Sequence, residues 1–307
     1  MDALVFVNYV LLAISLTLVT LELGIALLFL KKDERWSRAM DYIAPIWEIT
    51  GTFIIFFIVN LAATYPDLLP IIDTMYSGPI LVFAILLILR NAFLAYSEIS
   101  GNDANTGRMR TIYSISTIIA VVIALSVLTS ALSGSVASVG SSAANILYVF
   151  VNLPNVLLIA AALLITVFIT LIFFSIKSAK LLYSSLMLSA ALAAAAIVAY
   201  LPAALSNILA YWYSIVPAAA LLAVMLALYL KDDMRARFIV PVFLFTVFLT
   251  FEMLSYPNIF NGAVNLNSYL APQASRYYIS AITVIGGVFL TAAMAYFIYI
   301  QRLRRKV

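Results

Sequence analysis

Four ionisable residues fall inside long apolar stretches of this 307-residue sequence: Glu22, Glu48, Arg90 and Glu252. A charged side chain at the centre of a bilayer costs roughly 2.5 kcal/mol or more on insertion scales, so such groups face a protein interior, pair, or neutralise. Three of the four fall at one depth. At about 1.5 Å per helical residue, Glu22 lies about 12 Å from the end of its apolar run that leads into a basic loop. Glu48 lies about 9 Å from the same end of the next run, and Arg90 about 10 Å from that end of the third. Two carboxylates and one guanidinium on three consecutive helices therefore share a level. Arginine keeps its proton, so one carboxylate can pair with it while the other stays free to titrate. Two uses are open to such a set. It can be a buried ion pair that fixes helix register, or the inner part of a proton path. Glu252 stands apart, about 21 Å from the basic end of its run, with Ser255, Tyr256 and Asn258 just beyond it. It reads as a second buried acid, either a protonated carboxyl donating a hydrogen bond or a partner for a group on another subunit.

The elements that must position these residues are membrane helices. The chain is 65% hydrophobic and 10% charged, where a soluble domain is about 25% charged. No soluble interior is large enough for that much apolar surface, and the runs are too long and continuous for the alternating strands of a membrane barrel. Nine spans can be drawn, at 4–30, 42–64, 76–97, 111–133, 146–174, 182–204, 209–230, 238–256 and 277–301. Fifteen of the seventeen basic residues lie in alternate connections and the C-terminal tail; the exceptions are Arg90 and Arg276. The excess of Lys and Arg on one side puts the N-terminus outside and the C-terminus in the cytoplasm. Residues 1–30 read as a first span rather than a signal peptide, since the start Met1-Asp2 lacks a basic region and the apolar run is too long. The connections are short, so residues 1–307 read as a single transmembrane domain of antiparallel helices. A weak parallel repeat relates spans 1–3 to spans 7–9. "LLFLKKDERWSRAM" resembles "LALYLKDDMRARF", and the spans that follow end in "ATYPDLLP" and "LSYPNIFN".

Other marks carry less chemistry. There is no Cys and no His, which removes disulfides, thiolate metal sites and the usual axial ligands of membrane haems. The basic residues sit in short loops, which is a topology signal and gives no nucleic-acid partner. Tyr65, Trp212, Tyr213, Tyr277 and Tyr278 lie near span ends and read as interfacial aromatic belts. Pro154, Pro202, Pro217 and Pro241 lie in or at spans and read as kinks in a bundle, with a transporter hinge as the alternative. "SAALAAAAIVAYLPAAL" is a run of small residues suited to close helix packing.

One segment resembles a known family. Glu22-Leu23-Gly24, the Ala-Pro-x-Trp-acid sequence Ala44-Pro45-Ile46-Trp47-Glu48, and Tyr76-Ser77-Gly78 followed by Arg90 and Tyr96 are similar to subunit II of the cytochrome bd-type quinol oxidases. "SYPNIF" before the last span is similar to the end of that family. The chain departs from it where Ile49-Thr50-Gly51 replaces the usual Gly-Asn-Gln, where Leu18, Val19 and Thr20 offer no second acid, and where Ala95 replaces one. The resemblance implies an all-α polytopic fold of two four-helix bundles plus a peripheral helix. It implies a multi-pass protein of a prokaryotic plasma membrane that binds no haem through its own ligands. Its partner would be a haem-bearing subunit I that also takes the quinol, with small accessory subunits and a structural quinone or lipid as further components. Acids of this subunit would bring protons from the cytoplasm, here Glu22 and Glu48 with Arg90 holding their geometry. From the residues alone two rivals stand beside it: a secondary transporter of a small solute, and a quinol-binding anchor subunit of another redox complex. The transporter lacks a polar cluster in broken helices near the midplane.

Overall fold

In lipid each backbone N–H and C=O must bond within its own segment, so the apolar runs fold as helices. The computed structural model describes residues 2–30, 36–99, 106–134, 152–259 and 264–304. In chain order the helices are α1 (Ala3–Leu30), α2 (Trp36–Thr64), α3 (Leu69–Ile99), α4 (Thr106–Ser133), α5 (Leu153–Phe173), α6 (Ala179–Tyr200), α7 (Pro202–Ala210), α8 (Val216–Leu230), α9 (Ala236–Ser255) and α10 (Gln273–Arg304). A 3-10 turn, Trp212–Ile215, leads into α8. A two-stranded ribbon of β1 (Asn258–Ile259) and β2 (Val264–Asn265) follows α9. Among the described residues eight helices are long and apolar enough to cross a membrane, and the described apolar part of α2 is Ile49–Thr64.

The helices differ from the sequence expectation where proline acts. Pro154, Pro202 and Pro217 occupy the first turns of α5, α7 and α8, where the missing N–H has no helical partner to lose. They open helices and do not kink them. Pro202 therefore ends the sixth span at Tyr200, and the expected span 209–230 begins as a short helix and a 3-10 turn. Pro241 alone of the four lies inside a helix. Helix α3 starts at Leu69, ahead of the expected 76, because Pro70 stands in its first turn. Residues 146–151 of the expected fifth span lie outside the described residues.

Helices α1 to α4 form one bundle and α5, α6, α8 and α9 a second, while α10 packs on the outside against α1 and α2. The second bundle is held by a buried cluster of Phe168, Ile169 and Ile172 of α5, Leu182 of α6, Met225 of α8, and Val240 and Leu244 of α9. The small residues of α6 let it lie close to α5, and Ser189 Oγ donates to the Ala161 carbonyl at 2.7 Å. Leu21 of α1 enters this cluster from the first bundle. Helix α1 is the hub, in contact with α2, α4, α5, α9 and α10.

Gly24 makes the α1–α5 crossing possible. A Cβ there would run into Thr170 Oγ1, and Thr170 is buried with its hydroxyl donating to the Thr166 carbonyl at 2.6 Å. Helix α10 is fastened differently. Thr283 Oγ1 donates to Asn60 Oδ1 at 2.5 Å, and the Phe56 ring of α2 lies 3.5 Å from where a Gly286 side chain would begin. Arg276 Nη1 donates to Asp2 Oδ2 at 2.7 Å. Tyr65 is not part of an aromatic belt. It is 2% exposed and packs with Val5, Leu68 and Leu266, with Tyr256 alongside. Both Tyr-Pro turns of the suspected repeat thus meet at the outer end. Trp212, Tyr213, Tyr277 and Tyr278 are exposed, as interfacial residues are.

Two outcomes follow from these contacts. Gly24→Leu should cost about 1–3 kcal/mol through overpacking. It should lower the yield of folded protein on size-exclusion chromatography in detergent, and adding Thr170→Ala should recover part of the loss. The Asp2 carboxyl is held below its ordinary value first by the Leu4 N–H and then by Arg276. A depressed carboxylate contributes stability that is complete above its unfolded value and lost as pH falls through its folded value. The partly exposed clasp is worth about 0–1 kcal/mol. Asp2→Asn should therefore speed hydrogen exchange in the first turn of α10 at neutral pH and have no effect once the pH is below the folded value.

Candidate functional site

The expected cluster of Glu22, Glu48 and Arg90 is realised in part. Glu22 leaves α1 eight residues before its cytoplasmic end, and Arg90 leaves α3 nine residues before its end. The two are 0% and 1% exposed, and Arg90 Nη1 donates to Glu22 Oε2. Glu48 lies on α2, but its side chain, like those of Ala44, Pro45 and Trp47, is outside the described residues. Gly78 lies in α3 two residues after Tyr76, a buried residue whose hydroxyl accepts from Ser130 Oγ of α4 at 2.9 Å.

Two residues that the sequence did not single out complete the site. Thr50 of α2 is fully buried and within hydrogen-bonding reach of the Glu22 carboxylate. Tyr113 of α4 is fully buried and in electrostatic reach of both Glu22 and Arg90. Each helix of the first bundle thus sends one buried polar group to a single level. A lone Thr in an apolar helix carries no signal, because its hydroxyl can satisfy itself on the carbonyl one turn back. Only the packing of four helices shows that Thr50 and Tyr113 face the pair.

The pair is under-satisfied in an informative way. Glu22 Oε1 and Arg90 Nε and Nη2 have no hydrogen-bond partner among the described residues. A guanidinium offers five N–H donors and a carboxylate about four acceptor positions, so the site has spare capacity on both partners. Chemically it can lock the register of α1 against α3. It can also present a carboxylate oxygen, flanked by a hydroxyl, to a proton donor or acceptor.

Glu252 is not brought to this site. It lies on α9, three residues before Ser255 at the opposite, outer end. It is 8% exposed, and neither of its carboxylate oxygens has a hydrogen-bond partner among the described residues.

Removing one member of a buried ion pair leaves an uncompensated charge and costs about 3–5 kcal/mol, whereas replacing both can be close to neutral. Arg90→Leu should therefore lower the thermal unfolding midpoint in detergent sharply. The double variant Glu22→Gln with Arg90→Leu should regain most of that loss.

Comparison with known proteins gives a family match and a fold match. The family model described as cytochrome bd terminal oxidase subunit II matches residues 2–303. A chain of the structure titled "The structure of bd oxidase from Geobacillus thermodenitrificans" superposes with a TM-score of 0.77 at 15% identity, covering 98% of each chain. At that identity the superposition is a likeness of fold. No curated protein matches the sequence.

Proposed function

This chain belongs to the cytochrome bd terminal oxidase subunit II family, and we propose that it serves the oxidase as its non-haem subunit, buttressing a haem-bearing subunit I and conducting protons to it. The absence of His and Cys supports placing the haems, and with them the oxygen chemistry, in the partner, and the quinol site is assigned to the same subunit. Small accessory subunits and a structural quinone or lipid complete the proposed assembly, which sits in a prokaryotic plasma membrane.

The observation that carries the proton role is the buried Glu22–Arg90 pair in the cytoplasmic half of the first bundle, with no hydrogen-bond partner for Glu22 Oε1 among the described residues. Arg90 acts as a positioning residue. It holds Glu22 at a level that an isolated acid would reach only at a large desolvation cost. Glu48 enters the same bundle from the cytoplasmic side on α2, and it supplies the entrance carboxylate. Thr50, two residues further along α2, can accept and donate a proton through its hydroxyl. The sequence of hand-overs is then cytoplasm, Glu48, Thr50, Glu22, and the partner subunit.

The test uses the assembled complex. Glu48→Gln removes the titrating proton and keeps the shape. A positioned acid–base group is worth about 10²–10⁴-fold, so oxygen reduction and proton uptake should both slow by at least about tenfold while the haem spectrum stays normal. Unchanged turnover with normal haem content would remove the proton role and leave a scaffold.

A further inference from the structure

Glu252 is a buried acid that the path through the first bundle does not use. It sits on α9 about 4.5 Å inside the outer end of that helix, at the seam where α9 packs on α1. Both oxygens are shielded from solvent by this chain itself, and no donor or cation meets them among the described residues. The basic residue of the outer side, Arg276, is engaged by Asp2 at 2.7 Å. An ionised carboxylate in that setting would have lost its water and gained nothing in exchange.

The surroundings are phenolic. Tyr9 of α1 lies in electrostatic reach of Glu252, Tyr65 and Tyr256. The rings of Tyr9 and Tyr256 meet edge to face with centroids 6.2 Å apart. Tyr256 Oη donates to Oδ1 of the exposed Asn267 at 2.5 Å. The other elements packed on α9 bring no competing charge. Helices α5 and α7 contain no titratable residue. Tyr229 of α8 is at the cytoplasmic end, bound to the Ile176 carbonyl at 2.6 Å. Tyr213 of the 3-10 turn is exposed. From the acid, the phenols lead outward to a surface amide.

We propose that Glu252 is a proton-exchange residue of the outer face, reached from the external aqueous phase through Tyr9 and Tyr256. A phenol is both donor and acceptor. Each phenol oxygen takes one proton as its own O–H gives one up, so both rings end neutral. The net event is one proton moved between the Glu252 carboxyl and water at Asn267. This site is separate from Glu22 and does not depend on the path proposed there.

Infrared spectra of the assembled complex, recorded in water and after transfer to heavy water, test it. The wild type should show the C=O band of a protonated carboxylic acid that is lost in Glu252→Gln and displaced in Glu252→Asp. Tyr9→Phe should keep that band but slow its hydrogen–deuterium exchange about tenfold or more, as loss of a positioned proton carrier does. Two results would overturn the proposal. One is a carboxylic-acid region unchanged in both Glu252 variants, which would mean that the residue holds no exchangeable proton. The other is a Glu252 band that exchanges as fast in Tyr9→Phe as in the wild type, which would remove the phenols from the route.

Discussion

A guanidinium inside a bilayer-spanning bundle must find a counter-charge, and Arg90 finds it in Glu22 on a helix that is not its neighbour in sequence. Much of the first bundle follows from that requirement. Helices α1 and α3 are brought to one register, α2 and α4 supply Thr50 and Tyr113 at the same depth, and the level lies nearer the cytoplasmic end than the outer one. Such a pair is not chosen for stability, since an apolar replacement of both partners can be as stable.

Helix α1 carries the pair, and it also joins the two bundles. Its Gly24 allows the close approach of α5, and its Leu21 enters the core of the second bundle. Asp2, just ahead of its first residue, holds α10, and its Tyr9 lies in electrostatic reach of Glu252 of α9. Near the cytoplasm this helix carries the buried Glu22 paired with Arg90, and near the outer end it carries Tyr9 and the buried Asn8, with the Asp2–Arg276 ion pair just ahead of its first residue.

The helical, membrane-spanning character of the chain was plain in the sequence because it rests on run length and on the side that carries Lys and Arg, both local properties. The shared depth of Glu22 and Arg90 was plain for the same reason, since rise per residue is fixed in a helix. Tyr65 was misread as an interfacial residue, because position near a span end does not reveal that Leu68 and Leu266 cover it. Pro154, Pro202 and Pro217 were misread as kinks, because a proline marks either a kink or a first turn according to where the preceding helix stops. Thr50 and Tyr113 carried no signal, because a hydroxyl in an apolar helix is ordinary until its neighbours are known.

Composition, run length and charge placement by themselves determined that this protein is a polytopic helical bundle with its N-terminus outside, and short motifs around Glu22, Trp47 and Arg90 pointed to its family. Tertiary structure alone decided which buried groups meet. It paired Arg90 with Glu22, added Thr50 and Tyr113 to their level, and left Glu252 among phenols at the opposite face. The reason is physical. Depth along a helix is set by residue count, whereas the direction in which a side chain points relative to other helices is set only by how the helices pack.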